Sequence, residues 1–138
     1  MISWQPISYS SKYGKNGQPE FDGLFYKNNK HGIGVEFDQL GRKAFQKEFK
    51  NGKSKGDWIE FLPDSNKVIC RNEDRIKFYE GEIADGMING LGIQYDKLGY
   101  KKTEGNFKNG YLNGQGIQYE NGLKKYQGEF KDGIANAS

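Results

Sequence analysis

The amino-acid sequence predicts an all-β fold, an elongated and twisted single antiparallel sheet formed as a meander of consecutive β-hairpins. A segment of about two dozen residues recurs along the chain, which indicates a repeat architecture. Inside each copy, apolar residues alternate with period two, and Asn-Gly or Asp-Gly pairs separate the alternating runs. No segment shows a sustained helical stripe.

The repeats align on five positions whose steps are 24, 34, 24 and 23 residues: Gly23, Lys47, Gly81, Gly105 and Gly128. A single domain, 1–138, is expected. Its predicted parts are a capping strand (Ile2–Tyr9) and half-repeat within 1–20, repeats at 21–44, 45–78, 79–102 and 103–125, and a partial terminal repeat at 126–138. The long step is assigned to an insertion at about 64–78.

Two columns of apolar residues define the predicted strands. The first strand carries an aromatic residue two positions after the alignment point, as at Phe107 and Phe130. The second strand carries alternating apolar residues, as at Leu91, Ile93 and Tyr95. This alternation predicts strands with one buried face. The Asn-Gly and Asp-Gly pairs predict tight turns with positive φ, and the recurring glycines are expected to leave room for rings from the adjacent strand.

The pattern Y-x-G-x-F-x-x-G-x-x-x-G-x-G-x-x-x-Y, read from 79–95, 103–119 and 126–133, resembles the MORN repeat, and the resemblance covers about 13–133. It implies an elongated antiparallel sheet of hairpins. It also implies scaffolding between proteins at cytoskeletal, ciliary or membrane-contact sites, with acidic phospholipid binding proposed for some members. Similar repeats precede a SET-domain methyltransferase and occur in bacterial toxin systems, but no SET-like sequence follows here. The structural repeat positions are Gly23, Phe25, Gly81, Tyr95, Gly105, Phe107, Tyr119, Gly128 and Phe130.

The second repeat departs from this pattern. Lys47 replaces the first glycine, and Trp58 replaces the glycine found at Gly34 and Gly92. We expect a bend or joint here, with Trp58 filling the space of a glycine pair; a binding hot spot is the alternative.

Composition excludes several classes of protein. The net charge is +3, from 21 basic and 18 acidic residues spread over both halves, so no nucleic-acid footprint is indicated. Only 34% of residues are hydrophobic but 14% are aromatic, which favours a thin ordered core over disorder. Cys70 is the single cysteine, and no signal peptide or membrane-spanning run is present. A cytoplasmic protein is expected.

No arrangement of residues predicts catalysis, a metal site or a cofactor. His31 is the single histidine and is expected on a surface turn, while Cys70 is expected to pack as a small hydrophobe. The carboxylates Glu80, Glu82 and Glu104 are expected to point outward from the strands. The glycine repeats lack the features of a phosphate loop.

Two candidate interaction sites follow from the repeat. The two residues after each turn glycine become apolar in the C-terminal half and predict a rim of Met87, Ile88, Tyr111, Leu112 and Ile134, unless these side chains fold into the core. The second candidate is a C-terminal edge strand that offers strand addition to a peptide or to a second copy: Tyr126, Glu129 and Phe130.

The function that these features favour is a non-enzymatic protein–protein interaction module or scaffold that binds a helix or extended segment. One alternative is a peripheral binder of acidic phospholipids that uses Lys101, Lys102, Lys124 and Lys125. A bacterial immunity-type protein that occupies a toxin is another. The sequence leaves the partner, the host and the oligomeric state open.

Overall fold

The structure is a computed structural model that describes residues 8–136, and the chain divides into two compact units, one ending at Pro63 and one beginning at Asp64. Within the described residues every regular element is a strand. Unit 1 contains β1 (Ser8–Tyr13), β2 (Pro19–Tyr26), β3 (Asn29–Phe37), β4 (Lys43–Lys50) and β5 (Lys53–Phe61). Unit 2 contains β6 (Lys67–Arg71), β7 (Lys77–Ala84), β8 (Met87–Tyr95), β9 (Lys101–Lys108), β10 (Tyr111–Glu120), β11 (Leu123–Lys131) and β12 (Ile134–Ala135).

Each unit is an antiparallel meander in which every strand pairs with the next one in the chain. The all-β prediction is therefore confirmed. Of the predicted capping strand Ile2–Tyr9, residues 2–7 lie outside the described part of the chain, and β1 occupies the residues from Ser8 to Tyr13.

Short two-residue turns close the hairpins as predicted. Asn51, Asp85, Asn109 and Asp132 all have φ between 51° and 52°, and each is followed by a glycine with positive φ. Such a pair of left-handed residues suits the twist of a hairpin. Turn glycines also tie neighbouring hairpins together: the N–H of Gly110 donates to the carbonyl of Ile88 (2.9 Å), and that of Gly133 to the carbonyl of Leu112 (2.8 Å).

Longer turns join one hairpin to the next, and an Asp or Asn side chain organises them. The Asp96 carboxylate accepts hydrogen bonds from the N–H groups of Leu98 (2.9 Å) and Tyr100 (3.0 Å). Asn72 does the same for Asp74 and Ile76. The segment 64–78, predicted as an insertion, thus contains a strand (β6) and a turn of the repeat type.

In each unit one face of the sheet carries the core, and we call it the aromatic face. Its buried side chains include Tyr79, Phe107, Phe130 and Leu112 in unit 2. A row of paired glycines crosses the same face: Gly81, Gly92, Gly105, Gly116 and Gly128. A Cβ at Gly92 would overlap the Tyr79 ring. Rings lying on the glycines of the neighbouring strand therefore build a one-layer core, as predicted.

In unit 1 the aromatic face holds an edge-to-face cluster in which Phe21 lies 5.6 Å from both Phe25 and Phe49. A Cβ at Gly34 would overlap the Phe21 ring. The Lys30 ammonium lies 4.3 Å from the centre of the Phe21 ring and 5.2 Å from that of Phe49. A single layer of rings is thus covered from above by a cation.

The prediction was wrong about the second apolar column. Leu91 is 65% exposed and Ile33 is also exposed, although both were expected on a buried face. Each alternates with the glycines of its strand, so that it points away from the rings. Tyr95 and Tyr119 belong to this column and are half-buried outside the core.

Candidate protein-binding face

We call the face of unit 2 opposite the aromatic face the open face. The residues of the predicted rim are distributed over both faces. Lys108 pairs with Tyr111, and the next residue, Leu112, pairs with the core residue Phe107. Successive residues of a strand point to opposite faces. Tyr111 therefore lies on the open face and is 61% exposed, whereas Leu112 faces the core and is 3% exposed.

The other two hairpins divide in the same way. Met87 and Ile134 are exposed on the open face. Ile88, which pairs with Ile83, is half-buried on the aromatic face. The rim is thus reduced to Met87, Tyr111 and Ile134. The prediction that Leu112 and Ile88 belong to the exposed rim was wrong, because the pleat turns one residue of each predicted pair inward.

A groove of about 620 Å³ lies on the open face. Glycine backbones form part of its lining, because the side-chain positions of these residues point to the aromatic face, and the exposed Leu91 lies beside them. The lining residues are Lys67, Glu80, Gly81, Glu82, Leu91, Gly92, Ile93, Glu104 and Gly105.

Glu82 is held at the side of this groove by neutral donors. Its carboxylate accepts the N–H of Leu91 at 2.7 Å and the side-chain amide of Asn66 at 2.9 Å. The hydrogen bond from Leu91, followed by that from Asn66, lowers the pKa of Glu82 below its ordinary value. The charge of Lys67, which pairs with Glu82 across the strands, adds to the lowering of this pKa, so the carboxylate is negatively charged at neutral pH.

A Lys–Glu–Tyr arrangement occurs at the first of two successive hairpins. The Lys77 ammonium contacts Glu80 at 3.0 Å, and its hydrogen bond to that carboxylate raises the pKa of Lys77. The Tyr95 hydroxyl donates to the same carboxylate at 3.4 Å. Glu80 is thereby fixed between a cation and a phenol.

The next hairpin repeats this arrangement one repeat later. Lys101 contacts Glu104 at 3.2 Å, and the Tyr119 hydroxyl donates to Glu104 at 2.8 Å. The bond from Tyr119 is the main cause that lowers the pKa of Glu104, and Lys101 adds to it. The same bond raises the pKa of Tyr119.

The hairpins that carry this geometry match a known repeat. The family model of the MORN repeat matches four segments: 21–38, 79–97, 104–124 and 126–136. The chain belongs to the MORN-repeat family. Residues 39–78, which include Lys47 and Trp58, lie outside the matched segments. A comparison with curated proteins found no match.

A second groove occupies the equivalent place on a MORN hairpin of unit 1. It measures about 240 Å³ and is lined by Asp22, Gly23, Ile33, Gly34 and Val35, among others. These residues correspond in the repeat to Glu80, Gly81, Leu91, Gly92 and Ile93. The groove is therefore a property of the repeat.

Two turns that join successive MORN hairpins of unit 2, the longer turn at 96–100 and the two-residue turn at 121–122, form a basic edge with apolar side chains beside them. Leu98 is 79% exposed and Leu123 is 74% exposed. The Tyr100 ring adjoins Gly122 of the next turn, because a Cβ there would lie 3.1 Å from Tyr100 Cδ1. The four lysines named above as lipid-binding candidates are exposed beside these turns.

These four lysines differ in their contacts. Lys101 pairs with Glu104, and Lys125 lies 3.8 Å from the Glu120 carboxylate. Lys124 donates to the amide of Gln127 at 3.4 Å, and amide oxygen carries no charge to balance the ammonium.

The predicted edge strand is partly paired. Phe130 pairs with Ala135 of β12, and the N–H of Asn136 donates to the carbonyl of Glu129 at 2.8 Å. Phe130 is buried and Tyr126 packs against it at 5.3 Å. The prediction that a peptide adds as a strand at Glu129 and Phe130 was therefore wrong, since β12 already pairs with this end of β11. From Leu123 to Gly128, no described strand pairs with the outer side of β11.

The described residues contain no group of His, Cys, Asp and Glu side chains that could hold a metal ion. Cys70 is buried opposite Tyr79, as predicted. His31 was expected on a turn but lies in β3, half-buried, with its ring 5.6 Å from that of Tyr26. Across residues 8–136, no helix has the length and apolar character needed to span a membrane.

Sequence reasoning missed the groove beside Leu91. The available signal was the order of residues in β8, where Gly90 and Gly92 flank Leu91. Because rings occupy the glycine side of the strand, the apolar residues between glycines must point to the other side.

Proposed function

We propose that this MORN-repeat protein is a non-enzymatic interaction module that binds a partner protein on the open face of unit 2. The observation that supports this function most strongly is the set of exposed apolar side chains Met87, Tyr111 and Ile134 on the same face as the exposed Leu91 beside the groove. Exposed apolar side chains grouped on one surface of a protein mark contact sites. MORN repeats are known in scaffolds that bind proteins or membranes.

The test compares partner capture by two variants. Met87→Ser, Tyr111→Ser and Ile134→Ser are combined in one variant, while Leu112 is left intact because it belongs to the core. Immobilised wild type and variant are incubated with extract from the native source, and bound proteins are quantified by mass spectrometry. We expect at least one specifically retained protein whose recovery falls more than tenfold in the triple variant.

A matched control carries Leu98→Ser and Leu123→Ser, which remove exposed leucines from the basic edge. Its recovery of the partner should equal that of the wild type. The far-ultraviolet circular dichroism of both variants should match the wild type, because every changed side chain is exposed. Equal recovery by wild type and triple variant would overturn the proposal.

Binding to an acidic membrane is a second candidate, supported by the basic edge of unit 2. Leu98 and Leu123 extend into solvent among lysines, and such a combination favours insertion between anionic head groups. Sedimentation with phosphatidylserine vesicles should then decline with added salt, and a variant with Lys101, Lys102, Lys124 and Lys125 changed to Gln should remain in the supernatant. Sedimentation that is equal with phosphatidylcholine vesicles contradicts this candidate.

A further inference from the structure

A regular ladder of alternating isoleucine and glutamate crosses the open face of unit 2. Backbone pairing places these side chains in one row, each on the strand after the last: Ile69, Glu80, Ile93, Glu104 and Ile117. Strands in a sheet are spaced about 4.8 Å apart, so the three isoleucines recur every two strands, or about 9.6 Å. The two glutamates recur at the same interval between them.

The groove lies between this ladder and a second row. The second row contains Lys67, Glu82, Leu91, Asn106, Gln115 and Glu129. Together the two rows carry four carboxylates and a single ammonium group among their named residues. Leu91 supplies the most exposed apolar surface.

The carboxylates of the ladder are available for exchange of partners. Glu80 and Glu104 hold Lys77 and Lys101 in ion pairs whose side chains remain about one third exposed or more. Exposed pairs of this kind contribute little to the stability of a protein. An incoming guanidinium, which binds a carboxylate through two donors, can therefore displace either lysine.

We propose that the open face binds an amphipathic α-helix with an aliphatic residue at every seventh position and an arginine or lysine about halfway between. Seven residues of a helix rise about 10.5 Å, close to the interval of the ladder. Residues on one side of an extended strand recur about every 6.7 Å, which does not match it. The basic residues face Glu80 and Glu104, and an aliphatic residue enters the groove beside Leu91.

This inference rests on the proposed function and specifies its partner. Three synthetic peptides of three heptads test it by fluorescence anisotropy with the full chain. The first carries leucine and arginine at the stated spacing. The second replaces each arginine with glutamate, and the third has the composition of the first in a helical order without the heptad. We expect the first to bind at least tenfold more tightly than the others, with affinity that falls as salt is added.

Two protein variants localise the binding. Leu91→Gln introduces the residue that the next repeat has at Gln115, so the fold already accommodates it. This change should weaken binding of the first peptide about tenfold. The double change Glu80→Gln and Glu104→Gln should also weaken binding of that peptide and reduce the salt dependence of its affinity. Leu98→Gln, on the longer turns, serves as the matched control and should leave binding unchanged. Equal binding of the glutamate peptide, or unchanged binding to Leu91→Gln, would overturn the inference.

The peptides also separate this inference from the function on which it rests. If the Met87, Tyr111 and Ile134 variant loses a captured partner while none of the peptides binds, the inference of a helical partner is wrong and the protein-binding function stands. If the protein binds anionic vesicles and no peptide, the helix is likewise wrong.

Discussion

In unit 2 a continuous row of five glycines crosses the aromatic face, whereas the corresponding row of unit 1 runs from Gly23 to Gly34 and then meets Lys47. Lys47 forms an ion pair with Glu36, at 2.6 Å, and its ammonium lies 5.0 Å from the Phe45 ring centre. Phe45 packs against Trp58 at 5.6 Å.

The comparison shows two ways in which an aromatic ring can be buried when the core of a sheet is a single layer of side chains. Where the neighbouring strand has glycine, as for Tyr79 over Gly92, the ring occupies the space that a Cβ would fill and is fully buried. Where Lys47 and Trp58 replace the two glycines of such a pair, Phe45 packs against the lysine ammonium and the indole and stays half-buried. The glycine row therefore sets how deeply the aromatic side chains are buried.

The largest effect is expected from Tyr79→Ala. Tyr79 is fully buried, its hydroxyl donates to the carbonyl of Glu82 at 2.6 Å, and burial raises its pKa well above the ordinary value. Removal of such a ring costs about 3–5 kcal/mol of the free energy of unfolding, measured by urea denaturation. Phe45→Ala at the equivalent position should cost roughly half as much, since that ring is half-buried. Equal losses would contradict the comparison.

Gly92→Ala should cost about 1–3 kcal/mol, because the new methyl group overlaps the Tyr79 ring. Gly92 is not among the residues with positive φ, so backbone strain does not contribute. A double-mutant cycle with Tyr79→Thr tests the cause, since the next repeat has Thr103 at that position. In the Tyr79→Thr protein, Gly92→Ala should lower the free energy of unfolding by less than about 1 kcal/mol. An unchanged cost would show that the ring is not responsible.

A smaller loss is expected from Lys47→Met, which keeps the apolar length of the side chain and removes the ammonium. The ion pair with Glu36 and the contact with Phe45 together contribute about 1 kcal/mol, and part of it should disappear in high salt. Lys50→Met, on an exposed residue of the same strand, is the control and should not alter stability. If the Lys47→Met variant is more stable than the wild type, the ion pair and the ring contact of Lys47 do not stabilise the fold.

The smallest effect is a pH-dependent shift of one amide proton. The hydrogen bond from Leu91 lowers the pKa of Glu82, so the charged carboxylate stabilises the fold above the unfolded pKa of about 4.3 and this contribution is lost as the pH falls through the lower folded value. The Leu91 N–H resonance should therefore move below about pH 4.3. Ile33, the equivalent residue of unit 1, faces Leu24 in place of a glutamate and should not follow this titration. Identical titration of both amides would be inconsistent with the assignment.

The sequence was sufficient to predict the strands and turns of the repeats and their order, because period-two alternation and Asn-Gly or Asp-Gly pairs are local signals. It did not predict β6, which lies in the segment 64–78 that was assigned to an insertion. It predicted the core positions Phe25, Phe107 and Phe130 correctly. It did not separate the column of Leu91 from the column of Phe107, since both alternate with the same period. Which column is buried depends on the glycines of the neighbouring strand, and this is a relation between strands.

The candidate site was predicted in part for a related reason. Treating Tyr111 and Leu112 as one exposed pair ignored the pleat, which separates adjacent residues onto opposite faces. The groove and the ladder of isoleucine and glutamate depend on register across five strands, β6 to β10. Register is set by bulges such as the one in β8 between the pairs Gly81/Gly92 and Ile83/Ile88, and the sequence does not display these directly.

The hydrogen bonds from turn glycines to the preceding hairpin have a consequence for how such arrays change in length. The bonds from Gly52 to Lys30, from Gly110 to Ile88 and from Gly133 to Leu112 join like positions of successive hairpins. Each hairpin therefore presents the acceptor that the following one needs. Duplication or loss of a whole hairpin preserves this joint and requires no new contact, whereas a change of one strand leaves an acceptor without its donor. Gene segments that encode one hairpin are thus the natural unit in which this family can grow or shrink.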